Sequence, residues 1–323
     1  MQSIIKAFLV NILLGLSVFV FVNPVFAQSI ILPGAAPQVE LSKEQVLMRI
    51  VEQANANPGT ILILGEEHNN PQHAQHQMEI IHGLQHLGLK VHVGMEFIDF
   101  TQQQSLVQYR RQEISESNFL QQIGWTGFDF ANYREQILAP QEQLSEHCYG
   151  INSPRWVTSK VSKGGLESLT TEDRKLLPPQ FALGRSSYKE RFSEVMGGHI
   201  PPEKLDRYFA AQSIWDDTMA YQSLLAYSQQ LSSASSLAKT EKTIFVIVVG
   251  EFHVQYGGGL PDRLQVRMSE LPGQESKITN SRALPIITMS FLDQQGMDKE
   301  TQEQESEPHV KWGPRADYLW VLR

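Results

Sequence analysis

Thr60-Ile61-Leu62-Ile63-Leu64 is an almost wholly apolar run that stops at Gly65 and continues as Glu66-Glu67-His68. A short apolar run closed by glycine predicts a strand covered on both faces, which is the habit of a parallel sheet. Thr243 to Val249 repeats the pattern, stopping at Gly250 and continuing as Glu251-Phe252-His253. Between and beyond these two lie Lys90 to Met95, Cys148 to Ile151 and Leu284 to Phe291, also strand-like. Helical periodicity separates them: Gln72 to Leu87, segments near 101–111, 115–122 and 131–146, and a helix near 260–270. Strands alternating with helices predict an α/β fold, a mostly parallel sheet flanked by helices. In such a sheet the loops at the C-terminal ends of the strands carry function.

Four other segments shape the expected organisation. Residues 1–27 hold one charge, Lys6, then an apolar run to Val22 and Val25-Phe26-Ala27 before Gln28. That is the pattern of a cleaved secretory signal, and it predicts an exported protein, periplasmic or at the cell surface. No cysteine follows Ala27, so no lipid anchor is encoded there. Residues 28–42 look like a Pro/Gly-rich lead-in to an α/β domain spanning 40–293. A helical lid, about 155–231, is expected as an insertion, with Glu203 to Leu231 as one long helix. Residues 294–323 read as a polar C-terminal tail, with Tyr318 to Leu322 as a possible edge strand.

Composition narrows the function classes. The 323 residues carry 27 basic and 35 acidic side chains, a net charge of −8. Such an acidic chain is a poor candidate for nucleic acid, because phosphate contacts need a basic surface. One cysteine, Cys148, excludes an intramolecular disulfide, a Cys-based zinc ribbon and a Cys-ligated iron–sulfur cluster. In His147-Cys148-Tyr149-Gly150 it reads as a buried strand residue.

The chemistry-bearing residues gather at the strand ends. Two Gly-x-x-His elements place Glu66, Glu67, His68, Glu251 and His253 on one rim, and Val93-Gly94-Met95-Glu96 adds a further carboxylate. Histidine with carboxylate suits a divalent metal, held by His68, His253 and Glu96, or general acid–base work by the six residues together. A metal-dependent hydrolase of esterase or peptidase type is therefore one functional reading. Asn152 and Arg155, after the third strand, are placed to bind an anionic group. Asp216 and Asp217, adjacent and mid-helix, are expected to meet Arg155 or the rim histidines, or to be one solvated and one salt-bridged carboxylate. His82 and His86 lie opposite Ile80, Ile81 and Leu84 on their helix and are expected to face solvent.

Gly65-Glu66-Glu67-His68-Asn69, Gly94-Met95-Glu96, Gly150-Ile151-Asn152-Ser153-Pro154-Arg155, the run from Ala211 to Ala220, Gly250-Glu251-Phe252-His253 and Ala316-Asp317-Tyr318-Leu319-Trp320 together resemble the ChaN family. These are haem-binding uptake proteins of the superfamily that also holds Tiki metalloproteases, TraB and erythromycin esterases. The resemblance runs from about residue 40 to 322. It implies haem binding outside the cytoplasm in iron acquisition, a homodimer with haem at its interface, and contact with membrane-bound uptake machinery. It also implies a tyrosine on the iron, with His and Lys on the propionates. Ser187-Tyr188-Lys189 and Met196-Gly197-Gly198-His199 supply those three types close together. Tyr188 is the expected iron ligand, Lys189 and His199 the propionate partners, and Tyr208, Tyr221, Tyr227 and Tyr256 the rivals.

Overall fold

The computed structural model describes residues 28–34, 39–57, 59–140, 147–233, 242–268 and 285–322. The expected signal segment, 1–27, lies outside them. The chain runs β1 Gln28–Leu32, β2 Val39–Leu41, α1 Lys43–Ala56, β3 Ile61–Glu66, α2 Pro71–His86, β4 Lys90–Asp99, α3 Gln103–Arg110, α4 Glu116–Gln122, α5 Ala131–Leu138 and β5 Cys148–Asn152. It continues as α6 Arg155–Gly164, α7 Thr171–Arg174, α8 Ser186–Val195, α9 Pro202–Ser233, β6 Thr243–Gly250, α10 Leu260–Met268, β7 Ile286–Asp293, α11 Lys299–Ser306 and β8 Tyr318–Leu322.

One eight-stranded sheet has the order β2-β1-β8-β7-β3-β6-β4-β5. The six strands from β8 to β5 are parallel to their neighbours, and β1 joins antiparallel to both β8 and β2. This is the expected α/β architecture. The central strands are apolar on both faces because both are covered. Leu62, Leu64, Val246 and Val248 pack towards α1 and α2. Ile61, Ile63, Ile247 and Val249 pack towards α9 and α10. The connections leaving β3 and β6 thus go to opposite faces and opposite sides of the sheet. The crevice between their C-terminal ends is a topological switch point, where open α/β sheets bind ligands.

Helix α1 had no clear mark in the sequence reading, yet its start is well specified. Ser42 and Gln45 form a reciprocal capping box, and Val46, Leu47, Ile50, Val51 and Ala54 make its buried stripe. In α2, His82 and His86 are exposed as expected, while His73 and His76 are buried against Phe291 and Trp320.

Three expectations about organisation are corrected. The long helix α9 is only partly in the lid. Met219, Ala220, Leu224 and Tyr227 bury its second half against the sheet, as a layer of the domain. Its first half packs with the outlying helices, Ala210, Ala211 and Ile214 against Val157 and Val161 of α6 and Phe209 against Tyr188 and Phe192 of α8. The segment after 293 is not a tail set apart from the domain. Gln294 is buried, with its N–H donating to the Leu322 carbonyl, and Asp317 accepts from both the N–H and the hydroxyl of Thr288. Finally, β8 is not an edge strand. It lies between β7 and β1, its five residues all buried, because the 28–42 lead-in folds as the β1/β2 pair and covers it.

Candidate functional site

The ends of β3, β4 and β6 bring the rim residues together as the sequence predicted. Glu66 is buried at the end of β3 and is fully engaged. It accepts from the Tyr133 hydroxyl at 2.8 Å and from Gln77 Nε2 at 2.9 Å, and lies 3.4 Å from His68 Nδ1. His68 keeps 38% of its side chain exposed, with its ring against Phe97 and Phe128. Burial works to lower its pKa, but the hydrogen bond to Glu66 and the Glu96 charge prevail and raise it.

His253 is the buried counterpart. Its Nδ1 is 2.7 Å from Asp216 Oδ1 on α9 and its Nε2 is 3.4 Å from Glu96 Oε1. Burial is again the largest influence and a lowering one. The Asp216 and Glu96 carboxylates outweigh it and push the pKa up to about 10. His253 is therefore an imidazolium near neutral pH, donating from both nitrogens. Glu96 also accepts the Gly250 N–H at 2.5 Å, and despite its burial its pKa is lowered by the two histidines. Glu251 pairs with Arg315 at 3.2 Å, yet burial raises its pKa. Glu67 is exposed, and its N–H donates to His73 Nδ1.

Asp216 thus meets a rim histidine, one of the alternatives the sequence left open. Asp217 is the salt-bridged carboxylate of the other alternative, with partners the sequence did not name. It is fully buried and paired with both Arg263 and Arg267 of α10, which ties α9 to α10. Neither aspartate is solvated.

A cleft of about 810 Å³ opens over this rim. Its lining joins the rim residues Glu66, His68 and Glu96 to apolar side chains, Phe192, Met196, Phe291 and Met297 among them. A second cleft, about 490 Å³, shares His68, Glu96 and Trp215 and extends towards Arg155.

The metal expected on His68, His253 and Glu96 is not supported. Among the described residues no group of three or more His, Cys, Asp or Glu is placed to hold an ion. Both His253 nitrogens face carboxylates, Asp216 and Glu96.

The expected haem triad is not brought together. Tyr188 is 2% exposed, its hydroxyl accepting from Gln212 Nε2 at 3.0 Å and facing Asp216. Burial raises its pKa well above the ordinary phenol value, which opposes a phenolate. Lys189 turns away to Asp206 at 2.5 Å, and His199 is exposed, 2.6 Å from its near neighbour's carbonyl at Gly197.

Tyr256 is placed differently. It is half-buried and left-handed, at φ 61° and ψ 24°. Such a backbone is uncommon for a bulky residue and costs of order 1–3 kcal/mol. Its N–H donates to the Arg315 carbonyl at 2.8 Å, and the Arg191 guanidinium stands 5.3 Å from its ring centroid. His309 lies edge-on at 5.9 Å and stacks in turn on Trp312. Gly257 and Gly259, both at positive φ, complete the turn. That glycine run is the one sequence signal that marks this loop as strained.

The profile of the family described as haem-binding uptake, Tiki superfamily, ChaN matches residues 53–264. The chain belongs to the ChaN family. Among solved structures, a ChaN of Campylobacter jejuni, described as showing cofacial heme binding, is 15% identical, with 92% of this chain and 97% of that chain covered at a TM-score of 0.57. That likeness extends the ChaN fold over nearly the whole of this chain. An erythromycin esterase, EreC, in its open conformation is 11% identical over 86% of this chain and 92% of that one, at a TM-score of 0.38. A Bacillus cereus protein gives 11%, 87%, 92% and 0.36 in the same terms. Neither of the last two carries weight at those scores. No curated protein matches the sequence. ChaN membership makes haem the cofactor to be accommodated.

Proposed function

We propose that this ChaN-family chain binds haem on the face carried by Tyr256 and serves haem or iron uptake outside the cytoplasm. The observation that carries the reading is the strained backbone of Tyr256, since strain of this kind collects at ligand sites. Around it stand the three side-chain types that haem needs. Tyr256 offers a phenol oxygen, His309 an imidazole and Lys311 an ammonium, beside the flat ring of Trp312.

The bonding of His309 supports that role. Its Nδ1 accepts from the Lys311 and Trp312 N–H groups at 3.2 and 3.3 Å, so the ring proton sits on Nε2 and can be donated to a propionate. Lys311 is shared with Glu190 at 2.6 Å and Glu194 at 2.8 Å, so a propionate would compete with these carboxylates for it. Haem, when bound, supplies a ferric iron that accepts an anionic oxygen ligand. The protein's part is to present that oxygen, hold the propionates and cover the ring.

The homodimer and the export are parts of the same reading. The turn at 309–313 leaves Val310 fully exposed at the edge of the Tyr256 face, an apolar projection suited to a second copy. Cofacial haem, described for the C. jejuni protein, is consistent with two such faces meeting. Among the described residues no helix is long and apolar enough to cross a membrane. Cleavage after Ala27 would be read directly by sequencing the amino end of the protein recovered from its native host.

Haemin titration tests the site. The wild-type chain is expected to give a saturable Soret band, with Tyr256→Phe at least about tenfold weaker, the scale of losing a charged ligand contact. Unchanged haemin affinity and spectrum in Tyr256→Phe would overturn the assignment. Sedimentation with and without haemin reads the dimer.

A further inference from the structure

The second cleft has a built anion end that the haem face does not use. Strand β5 leaves the sheet at Asn152, and the chain turns through Ser153-Pro154 into the ten residues of α6. Pro154, at the cap position, supplies no side-chain hydrogen bond to the helix. The Val157 N–H turns back to the Pro154 carbonyl at 2.9 Å, and the N–H groups of Arg155 and Trp156 are left without a side-chain cap at the positive end of the helix dipole.

Ser153 gives an independent sign of a ligand. It lines the cleft, is only 3% exposed, and its Oγ has no hydrogen-bond partner among the described residues. A hydroxyl buried in this way costs free energy that an acceptor in the cleft would recover. Arg155 lines the same cleft and makes no side-chain ion pair among the described residues. Its five donors suit the two oxygens of a carboxylate.

Aromatic rings line the cleft as well, and the part-exposed His68 ring rests against two of them, Phe97 and Phe128. Phe97, Trp125 and Phe128 pack edge to face, with Phe97 5.6 Å from Phe128 and 6.3 Å from Trp125. Glu96 and Asp99 also line the space, and both are already satisfied. Glu96 takes the Gly250 N–H, and Asp99 takes the N–H and hydroxyl of Thr101. Their charge would repel a second anionic group placed away from Arg155. The cleft therefore offers Arg155 and Ser153 to one negative charge and aromatic rings to a neutral ring body.

We propose that this cleft binds a small aromatic monocarboxylate, held by Arg155, Ser153 and the start of α6, at a site separate from haem. Its volume of about 490 Å³ is in the range of small-molecule sites.

The test uses 2-naphthoate on the full-length protein without haem, followed by calorimetry and by quenching of Trp125 and Trp215, which line the cleft. One-to-one saturable binding is expected, with 2-naphthylmethanol, its neutral analogue, at least about tenfold weaker. Arg155→Gln should weaken 2-naphthoate by about tenfold, and Arg155→Lys should restore part of it. Arg155 is exposed, so both variants are expected to keep the wild-type melting temperature. Absence of saturable binding, equal binding of the alcohol, or an unchanged Arg155→Gln would each overturn the proposal. So would displacement of 2-naphthoate by haemin together with weaker haemin binding in Arg155→Gln, which would make the seat one for a haem propionate. Failure of the wild-type chain to take haemin at all would sink the haem reading alone, leaving the naphthoate result to stand.

Discussion

His253 Nδ1 lies 2.7 Å from Asp216 Oδ1, joining the end of the most apolar strand to the middle of the longest helix. Both groups are buried, and Glu96 closes the other side of the ring. Removing one charge from such a set leaves the others without compensation. Asp216→Asn is expected to cost about 3–5 kcal/mol of stability, read from the urea midpoint. An unchanged midpoint would mean that the pair contributes nothing to the fold.

The same pair sets a pH dependence. His253 is raised to about 10 from 6.5, so its contribution is complete below pH 6.5 and is lost as pH rises through 10. His73 and His92 go the other way, lowered by burial to about 4 and about 3. Their contribution is complete above pH 6.5 and is lost as pH falls through those values. Stability should therefore peak near pH 6.5 and fall on the alkaline side by about 1.4 kcal/mol per pH unit. Denaturation curves between pH 4 and pH 10 (about that span) measure it. His253→Gln should flatten the alkaline limb, and a slope unchanged in that variant would refute the assignment.

Tyr188 and Tyr256 should separate cleanly. Tyr188→Phe deletes a buried hydroxyl bonded to Gln212, an expected loss of about 1–2 kcal/mol, with the haemin spectrum unchanged. A variant that kept its stability and lost its Soret band would return the iron to Tyr188.

Cys148 should be inert. It is fully buried in β5, and burial pushes its thiol up to about 12. Ellman's reagent is expected to find no thiol in the native protein and one in denaturant. Rapid labelling of the native state would contradict that burial.

The parallel sheet and the rim were legible because each rests on local pattern. Ile61 to Leu64 and Ile244 to Val249 are apolar whichever face is considered, and the Gly-x-x-His ends follow directly. The location of β8 was not legible, since Tyr318 to Leu322 looks the same at an edge or inside, and only its pairing with the distant β1 decides. The destination of Asp216 stayed open because a helix position does not say which strand end it will face. Tyr188 misled because its burial depends on Phe209 and Phe252, brought in from α9 and from the loop after β6. Tyr256 differs from its rivals in a backbone angle, which side-chain chemistry does not record.

The pairing of β1 with β8 sets Gln28 opposite Leu322, the first and last described residues. A chain that emerges amino end first has β1 and β2 waiting without a seat while everything between them is made. Until Tyr318 to Leu322 arrives, β7 is an unguarded edge and the opening strands are loose ribbon. Closure of the sheet is thus an act of the last few residues, and the barrier it meets is that of joining the two ends of the described fold. Removing the five residues of β8 would unlatch the amino side as well.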